Sequence, residues 1–261
     1  NYRKIRTEYM SKLIGVIGGT GLDNPAFFTA EKELAPRTPY GRPSSPLRVG
    51  RLRGSDARIV LLARHGLQHT IPPHRVNFRA NLYALKEAGC THVVASACCG
   101  SLQEEYGPGA FVVPDQFIDF TRGRKSTYFD HFAPGDVRHQ PMADPFSQEL
   151  REAFLKAAEH CGIKAHDGGT IVTIEGPRFS TRAESRMFRV LGGDLINMTI
   201  ATECILANEL GLPYGVMAMV TDYDSWSEVH PPLDLDELWR VLGENVDKFT
   251  EVLIDALKTF A

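Results

Sequence analysis

The sequence predicts a single α/β domain built on a mixed, largely parallel sheet with helices on both faces. Three observations carry that prediction. Short β-branched runs alternate with helical segments along the chain, the pattern of strand–helix–strand units. Chemically loaded residues fall repeatedly just after those runs, where such folds carry their ligand sites. The 261 residues, 43% of them hydrophobic and undivided by any repeat or low-complexity linker, suit one large core.

Taken in order, Asn1 to Lys12 is polar and basic and reads as an N-terminal arm. Met10 also fits a start site, which would make Asn1 to Tyr9 an upstream remnant; the domain proper is expected over 13–261. Apolar β-branched runs predict strands at Leu13 to Ile17, Arg58 to Ala63, His92 to Ala97, Phe111 to Phe120, Thr170 to Ile174, Asp194 to Met198 and Tyr214 to Asp222. Between them, helices are expected at Val76 to Glu87, Pro145 to Cys161, Thr181 to Leu191, Ala201 to Leu210 and Leu233 to Thr259. In the last, Leu235, Leu238, Leu242, Val246, Phe249, Leu253 and Leu257 recur at three- and four-residue steps as one apolar stripe able to close over the sheet. Thr121 to Pro141 is too polar for core and too long for a simple turn, as lids and subunit contacts often are.

Composition narrows the function. A net charge of −3 gives no general attraction to nucleic acid or anionic membrane, so any phosphate site must be local. The chain has neither a long unbroken apolar stretch nor the apolar core of a signal peptide, so a cytoplasmic protein is expected. Cys90, Cys98, Cys99, Cys161 and Cys204 are odd in number and form no C-x-x-C pair, which fits reduced thiols rather than disulfides or zinc.

Two threonine-tipped segments suggest an anion site: Gly18-Gly19-Thr20-Gly21 and Asn197-Met198-Thr199 each follow an apolar run and read as a strand ending in a hydroxyl and free backbone amides. Alone, the glycines fit a plain turn equally well. Arg64-His65-Gly66 at the next strand end favours the anion, because arginine offers a fixed fork of donors and histidine a charge-assisted bond. His65, His69 and His74 do not read as a helical ligand pair and lack an accompanying carboxylate or cysteine, so phosphate binding or loop packing is expected rather than a metal. Asp222 and Asp224 are two apart, which on a strand puts both on one face; paired, partly buried carboxylates raise each other's proton affinity, so one can donate while the other accepts. A solvated strand end is the bland alternative. Phe179 could stack on a base or simply pack.

Together these segments closely resemble the methylthioadenosine phosphorylase family of the purine nucleoside phosphorylase superfamily. The resemblance runs from Ile14 through nearly the whole chain, carried by Ile17 to Asp23 (I-G-G-T-G-L-D), Leu61 to Gly66, Gln68 to Ile71, Thr91 to Val94, Asp115 to Asp119, Thr173 to Ser185, Ile196 to Thr199 and Thr221 to Trp226. It implies phosphorolysis of methylthioadenosine, with inorganic phosphate as co-substrate and no cofactor. By matching position it implies that Thr20, Arg64, His65 and Thr199 hold phosphate, with the Ala97 and Cys98 backbone close by. Met198 then lies under the ribose, Phe179 and Asn197 flank the base, Ile196 also binds substrate, and Asp222 and Asp224 read N7 and the 6-amino group. Asp222, Asp224 and Asn197 are the expected catalytic set. His139 is expected to reach a neighbouring subunit's substrate, within a trimer that in this family sometimes pairs into a hexamer.

Two departures stand out. Ala97 replaces a threonine of the family's phosphate turn, removing a hydroxyl. Leu235, Leu238 and Trp239 replace the smaller aliphatics that face the 5′-substituent. The nearest competing activity is a 6-oxopurine nucleoside phosphorylase, which the two carboxylates disfavour because a 6-oxo group accepts where they need a donor. A non-catalytic nucleoside-binding protein is the alternative from another class.

Overall fold

A computed structural model describes residues 12–19, 28–52, 55–230 and 234–260. The expected N-terminal arm, apart from Lys12, lies outside them, as do Thr20 and Leu233. The observed strands are β1 (Leu13–Gly18), β2 (Phe28–Leu34), β3 (Leu47–Leu52), β4 (Arg58–Ala63), β5 (His92–Ser101), β6 (Phe111–Val113), β7 (Gln116–Phe120), β8 (Ala165–Asp167), β9 (Thr170–Ile174), β10 (Leu195–Asn197) and β11 (Tyr214–Asp222). The helices are α1 (Phe78–Glu87), α2 (Gln148–His160), α3 (Arg182–Val190), α4 (Ile200–Glu209) and α5 (Leu235–Lys258). The single predicted strand over Phe111 to Phe120 is two strands, interrupted at Pro114 and Asp115, where proline has no N–H to give a ladder.

These strands form one sheet ordered β2-β3-β4-β1-β5-β10-β9-β7, with β11 also on β5 and β6 bridging β11 to β8. The central pairs β1–β4, β1–β5, β11–β5 and β10–β9 are parallel, whereas β2–β3, β3–β4, β6–β11 and β10–β5 are antiparallel. Each face buries its own cluster. One packs α1 and α4 through Leu82, Leu85, Cys204 and Leu206; the other packs α2 and α5 through Leu150, Phe154, Phe249 and Val252.

The path of β5 opens the cleft. Its first residues, His92 to Ala95, lie beside β1, while Gly100 and Ser101 lie beside β10, which runs the opposite way. On that edge Ser96 to Cys99 pair with no strand among the described residues, although β11 follows β5 on the other edge. A change of neighbour and direction in an open α/β sheet leaves a crevice at the strand ends.

The long apolar stripe of α5 is buried only from Val241 onward. Leu235 and Trp239, at 55% and 53% exposed, extend beyond the sheet to the mouth of the cleft, so the first turns of α5 do not serve the core. Among the described residues no helix is long and apolar enough to cross a membrane.

Candidate active site

The crevice is a cavity of about 450 Å³, within the size range of small-molecule sites. It gathers Arg64 and His65 after β4, Ala97 and Cys98 on β5, and Ile196 to Thr199 at and after β10. Asp222 ends β11 and Asp224 lies two residues on, while Phe179 comes from the turn after β9 and Leu235, Leu238 and Trp239 from α5. Every described residue expected at the site lines this one cavity except His139. His139 is exposed in the 121–141 segment, its ring edge-on to Phe132 at 5.6 Å.

Arg64 does not present an open fork. Its guanidinium, 2% exposed, donates from Nε and Nη2 to Glu203 at 2.5 and 2.9 Å and from Nη1 to the Ser96 carbonyl at 3.0 Å. Burial pushes the guanidinium down, but the Glu203 carboxylate outweighs it and holds Arg64 above its ordinary value. Tyr214 donates its hydroxyl to Glu203 Oε2 at 2.7 Å. Only the hydrogens left on Nη1 and Nη2 remain for an anion. The pair makes room for itself at Gly19, where a Cβ would stand 2.5 Å from Arg64 Nη1.

His65 departs from the expected charge-assisted donor. Burial and the neighbouring Arg64 charge push it down to about 4, so it is neutral near pH 7. Its Nδ1 faces the Ile71 carbonyl at 2.8 Å, which can only accept, so Nδ1 carries the proton and Nε2 is an acceptor. Its ring stacks on His69, whose backbone is left-handed at φ 52°, with centroids 4.5 Å apart.

Among the described residues of the two segments expected to offer free amides, and in the turn after the second, several N–H groups are used internally. Gly19 N–H donates to Ser96 Oγ at 3.0 Å. Thr199 and Ile200 N–H donate to Asn197 Oδ1 at 3.2 and 3.4 Å, and Ala201 N–H to Thr173 Oγ1 at 3.0 Å. A helix start must satisfy its orphan N–H groups, and here side chains two or more positions upstream do so. The described wall of the cavity thus offers the Arg64 guanidinium edge together with Asn197 and Thr199.

At the far end, burial raises the Asp222 carboxyl to about 6, with the Asp224 charge adding and the Thr221 hydroxyl, 2.7 Å from Oδ1, opposing. Burial also raises Asp224. Burial, not mutual repulsion, is thus the larger cause, and Asp224 sits beyond β11 rather than on its face. The Ser180 and Ser185 hydroxyls lie close enough to temper the rise in Asp224, yet Ser180 Oγ, Ser185 Oγ and Asp224 Oδ2 are buried without a hydrogen-bond partner among the described residues. Three orphaned polar atoms at one place suit a polar ligand or ordered water.

Phe179 is half exposed at the rim. Its turn begins at Gly176, φ 69°, where any Cβ would meet Met198 Sδ at 2.6 Å, so glycine lets the turn close on the cavity floor. Sequence reasoning missed Glu203, Tyr214 and Thr173. Glu203 had a signal: it is the one charged residue among the buried positions of α4.

Residues 13–258 match the Phosphorylase superfamily. The S-methyl-5′-thioadenosine phosphorylase of Danio rerio is 49% identical over 246 residues, covering 94% of this chain and 87% of that protein. That of Thermofilum pendens is 48% identical over 244 residues, covering 94% and 90%. Among solved structures, methylthioadenosine phosphorylase from Schistosoma mansoni in complex with adenine superposes with a TM-score of 0.88 at 39% identity, covering 94% of this chain and 91% of that one. The chain belongs to the phosphorylase superfamily and, within it, to the S-methyl-5′-thioadenosine phosphorylase family.

Proposed function

We propose that the protein cleaves 5′-methylthioadenosine by phosphorolysis, yielding adenine and 5-methylthioribose 1-phosphate. One observation carries the reading: a single cavity is lined both by a carboxyl raised to about 6 and by a buried guanidinium with Thr199. A leaving purine needs a proton donor; an attacking phosphate needs an anion site.

In this reading a phosphate oxygen forms a bond to C1′ while the bond from C1′ to N9 breaks, its electron pair passing to the purine. Asp222 gives its proton to N7 and is left as a carboxylate, which solvent reprotonates. Asp224 accepts from the 6-amino group. The sugar carries positive charge in the transition state, and the phosphate beneath it, held by Arg64 and Thr199, offsets that charge. Neutral His65 accepts at Nε2 from the hydroxyl of hydrogen phosphate. Asn197, Ile196 and Met198 line the nucleoside, Phe179 covers the base, Ala97 and Cys98 border the phosphate, and Leu235, Leu238 and Trp239 surround the 5′-substituent. Thr20, which follows Gly19, is assigned to phosphate by sequence alone.

Positioning and electrostatics suffice for this chemistry, so inorganic phosphate is the only co-reactant invoked and no cofactor is assigned. We place the enzyme in the cytoplasm as a homotrimer, with the option of pairing into a hexamer, in which exposed His139 serves a neighbouring copy. The test is adenine release from methylthioadenosine with and without phosphate, with inosine as the 6-oxopurine control. Adenine appearing only with phosphate is the expected result; no phosphate-dependent release rejects the assignment, and preference for inosine would transfer it to the 6-oxopurine class.

A further inference from the structure

The Asn197 carboxamide lines the cavity, and its Oδ1 is met by three donors: the Thr173 hydroxyl at 3.0 Å, Thr199 N–H at 3.2 Å and Ile200 N–H at 3.4 Å. Backbone N–H groups can only donate, so the atom facing them must be the oxygen. The amide is therefore fixed in one of its two flips, with the NH2 group on the other side. Among the described residues no hydrogen bond holds Nδ2. Asn197 lines the cavity, so the Nδ2 hydrogens are the ones left for a ligand there.

Thr173 enforces the choice. Its side chain is fully buried on β9, and its Oγ1 accepts from Ala201 N–H at 3.0 Å. With that acceptor site filled by a backbone donor, the hydroxyl hydrogen is directed to Asn197 Oδ1. β9 and β10 are parallel neighbours with Thr173 opposite Asn197, so the contact is built into the sheet register.

We propose that Thr173 is a positioning residue, which holds the Asn197 carboxamide with its NH2 turned into the cavity as a donor to a substrate oxygen or ring nitrogen. An NH2 in that place can serve only an acceptor, so it cannot bind the 6-amino group; a flipped Asn197 would put a carbonyl oxygen against the same substrate atom and repel it. The proposal rests on the reading of the cavity as a nucleoside and phosphate site.

The test is a double-mutant cycle on phosphate-dependent adenine release, with thermal melting followed alongside. Thr173→Val should lower kcat/KM about 10-fold in the native background, the size of one lost polar contact, and less than about 2-fold in an Asn197→Ala background, while lowering the melting temperature in both. Thr173→Ser, which keeps the hydroxyl, should restore kcat/KM to within about 2-fold. Equal fold-losses in the two backgrounds would mean that Thr173 does not act through Asn197 and overturn the proposal. Asn197→Asp keeps an acceptor toward α4 but replaces the donor, and turnover equal to that of the native protein would also overturn it, even if Thr173→Val does not fold. A native protein that releases no adenine would defeat the phosphorylase reading instead, and that corner of the cycle is read before any variant is compared with it.

Discussion

Arg64 and Glu203 meet edge to edge inside the protein, at 2.5 and 2.9 Å, with side chains 3% and 0% exposed. Arg64 comes from the turn after strand β4 and Glu203 from helix α4, 139 residues apart in sequence. The pair fixes the guanidinium plane, and Ser96 and Tyr214 complete its hydrogen bonding. An anion site built this way gains orientation at the expense of net positive charge.

Removing Glu203 should therefore destabilise the fold and disturb phosphate binding together. Glu203→Ala leaves a buried, uncompensated guanidinium, a loss of about 3–5 kcal/mol in urea unfolding. Glu203→Gln keeps the shape and one acceptor and should cost less. Phosphate KM should rise in both because Arg64 loses its fixed plane, while KM for methylthioadenosine changes less. A Glu203→Ala protein of native stability would contradict the geometry.

Asp222 should cost stability at neutral pH. Its folded value, about 6, lies above the ordinary 3.8, so the native state holds the proton more tightly than the unfolded chain does. That contribution is present below 3.8 and is lost as pH rises through about 6, amounting to about 3 kcal/mol for a shift of about two units. Asp222→Asn should accordingly be more stable than the native protein at pH 7.5 and no more stable near pH 4. Its kcat and kcat/KM should fall together, the mark of a contact made mainly in the transition state. Lower stability at pH 7.5 would show that the carboxylate has favourable partners.

His65 acts with the opposite sign over an overlapping window. Its folded value, about 4, lies below the ordinary 6.5, so the unfolded chain takes the proton first as the medium is acidified. Stability is full above 6.5 and declines toward about 4, again by about 3 kcal/mol. Between those limits the Asp222 and His65 contributions largely cancel in the native protein. Unfolding free energies across pH 4 to 6.5 should be steeper in Asp222→Asn than in the native protein, while His65→Asn should reverse the slope. Parallel curves for the three proteins would refute the shifts.

The sequence made visible what each residue is, and hid what each residue is paired with. Arg58–Ala63, Thr170–Ile174 and Tyr214–Asp222 were legible to the residue because their apolar runs are buried strands. β2 was not, because it is an edge strand whose Thr29 to Glu33 are all exposed and, Ala30 apart, polar, leaving no alternation to read. Many of the residues that line the cavity carry a simple signal, standing at or just after a strand end, as Arg64, His65, Thr199 and Asp222 do; Leu235, Leu238 and Trp239 lie instead on α5. Their chemistry was not: nothing beside Arg64 in the chain announces Glu203, and nothing in Asn197-Met198-Thr199 shows that Thr173 and Asn197 consume the amides of the next turn.

Trp239 offers the sharpest test of substrate choice. It is half exposed, yet with Leu235 and Leu238 it lines the cavity wall formed by the first turns of α5, before the helix enters the core at Val241. Its substitution should therefore alter the pocket more than the fold. Trp239→Leu should change unfolding free energy by no more than about 0.5–1 kcal/mol, as exposed positions do, while shifting kcat/KM among 5′-methylthio, longer 5′-alkylthio and 5′-hydroxyl adenosines. An apolar wall favours the thioether because a desolvated hydroxyl without a partner costs about 1–3 kcal/mol, so the native protein should prefer methylthioadenosine to adenosine by about 5- to 150-fold. Removing the indole opens the wall to water, and that preference should narrow while longer alkylthio groups gain. An unchanged ranking across the three substrates would place the indole outside the 5′-subsite and leave Leu235 and Leu238 as its apolar wall.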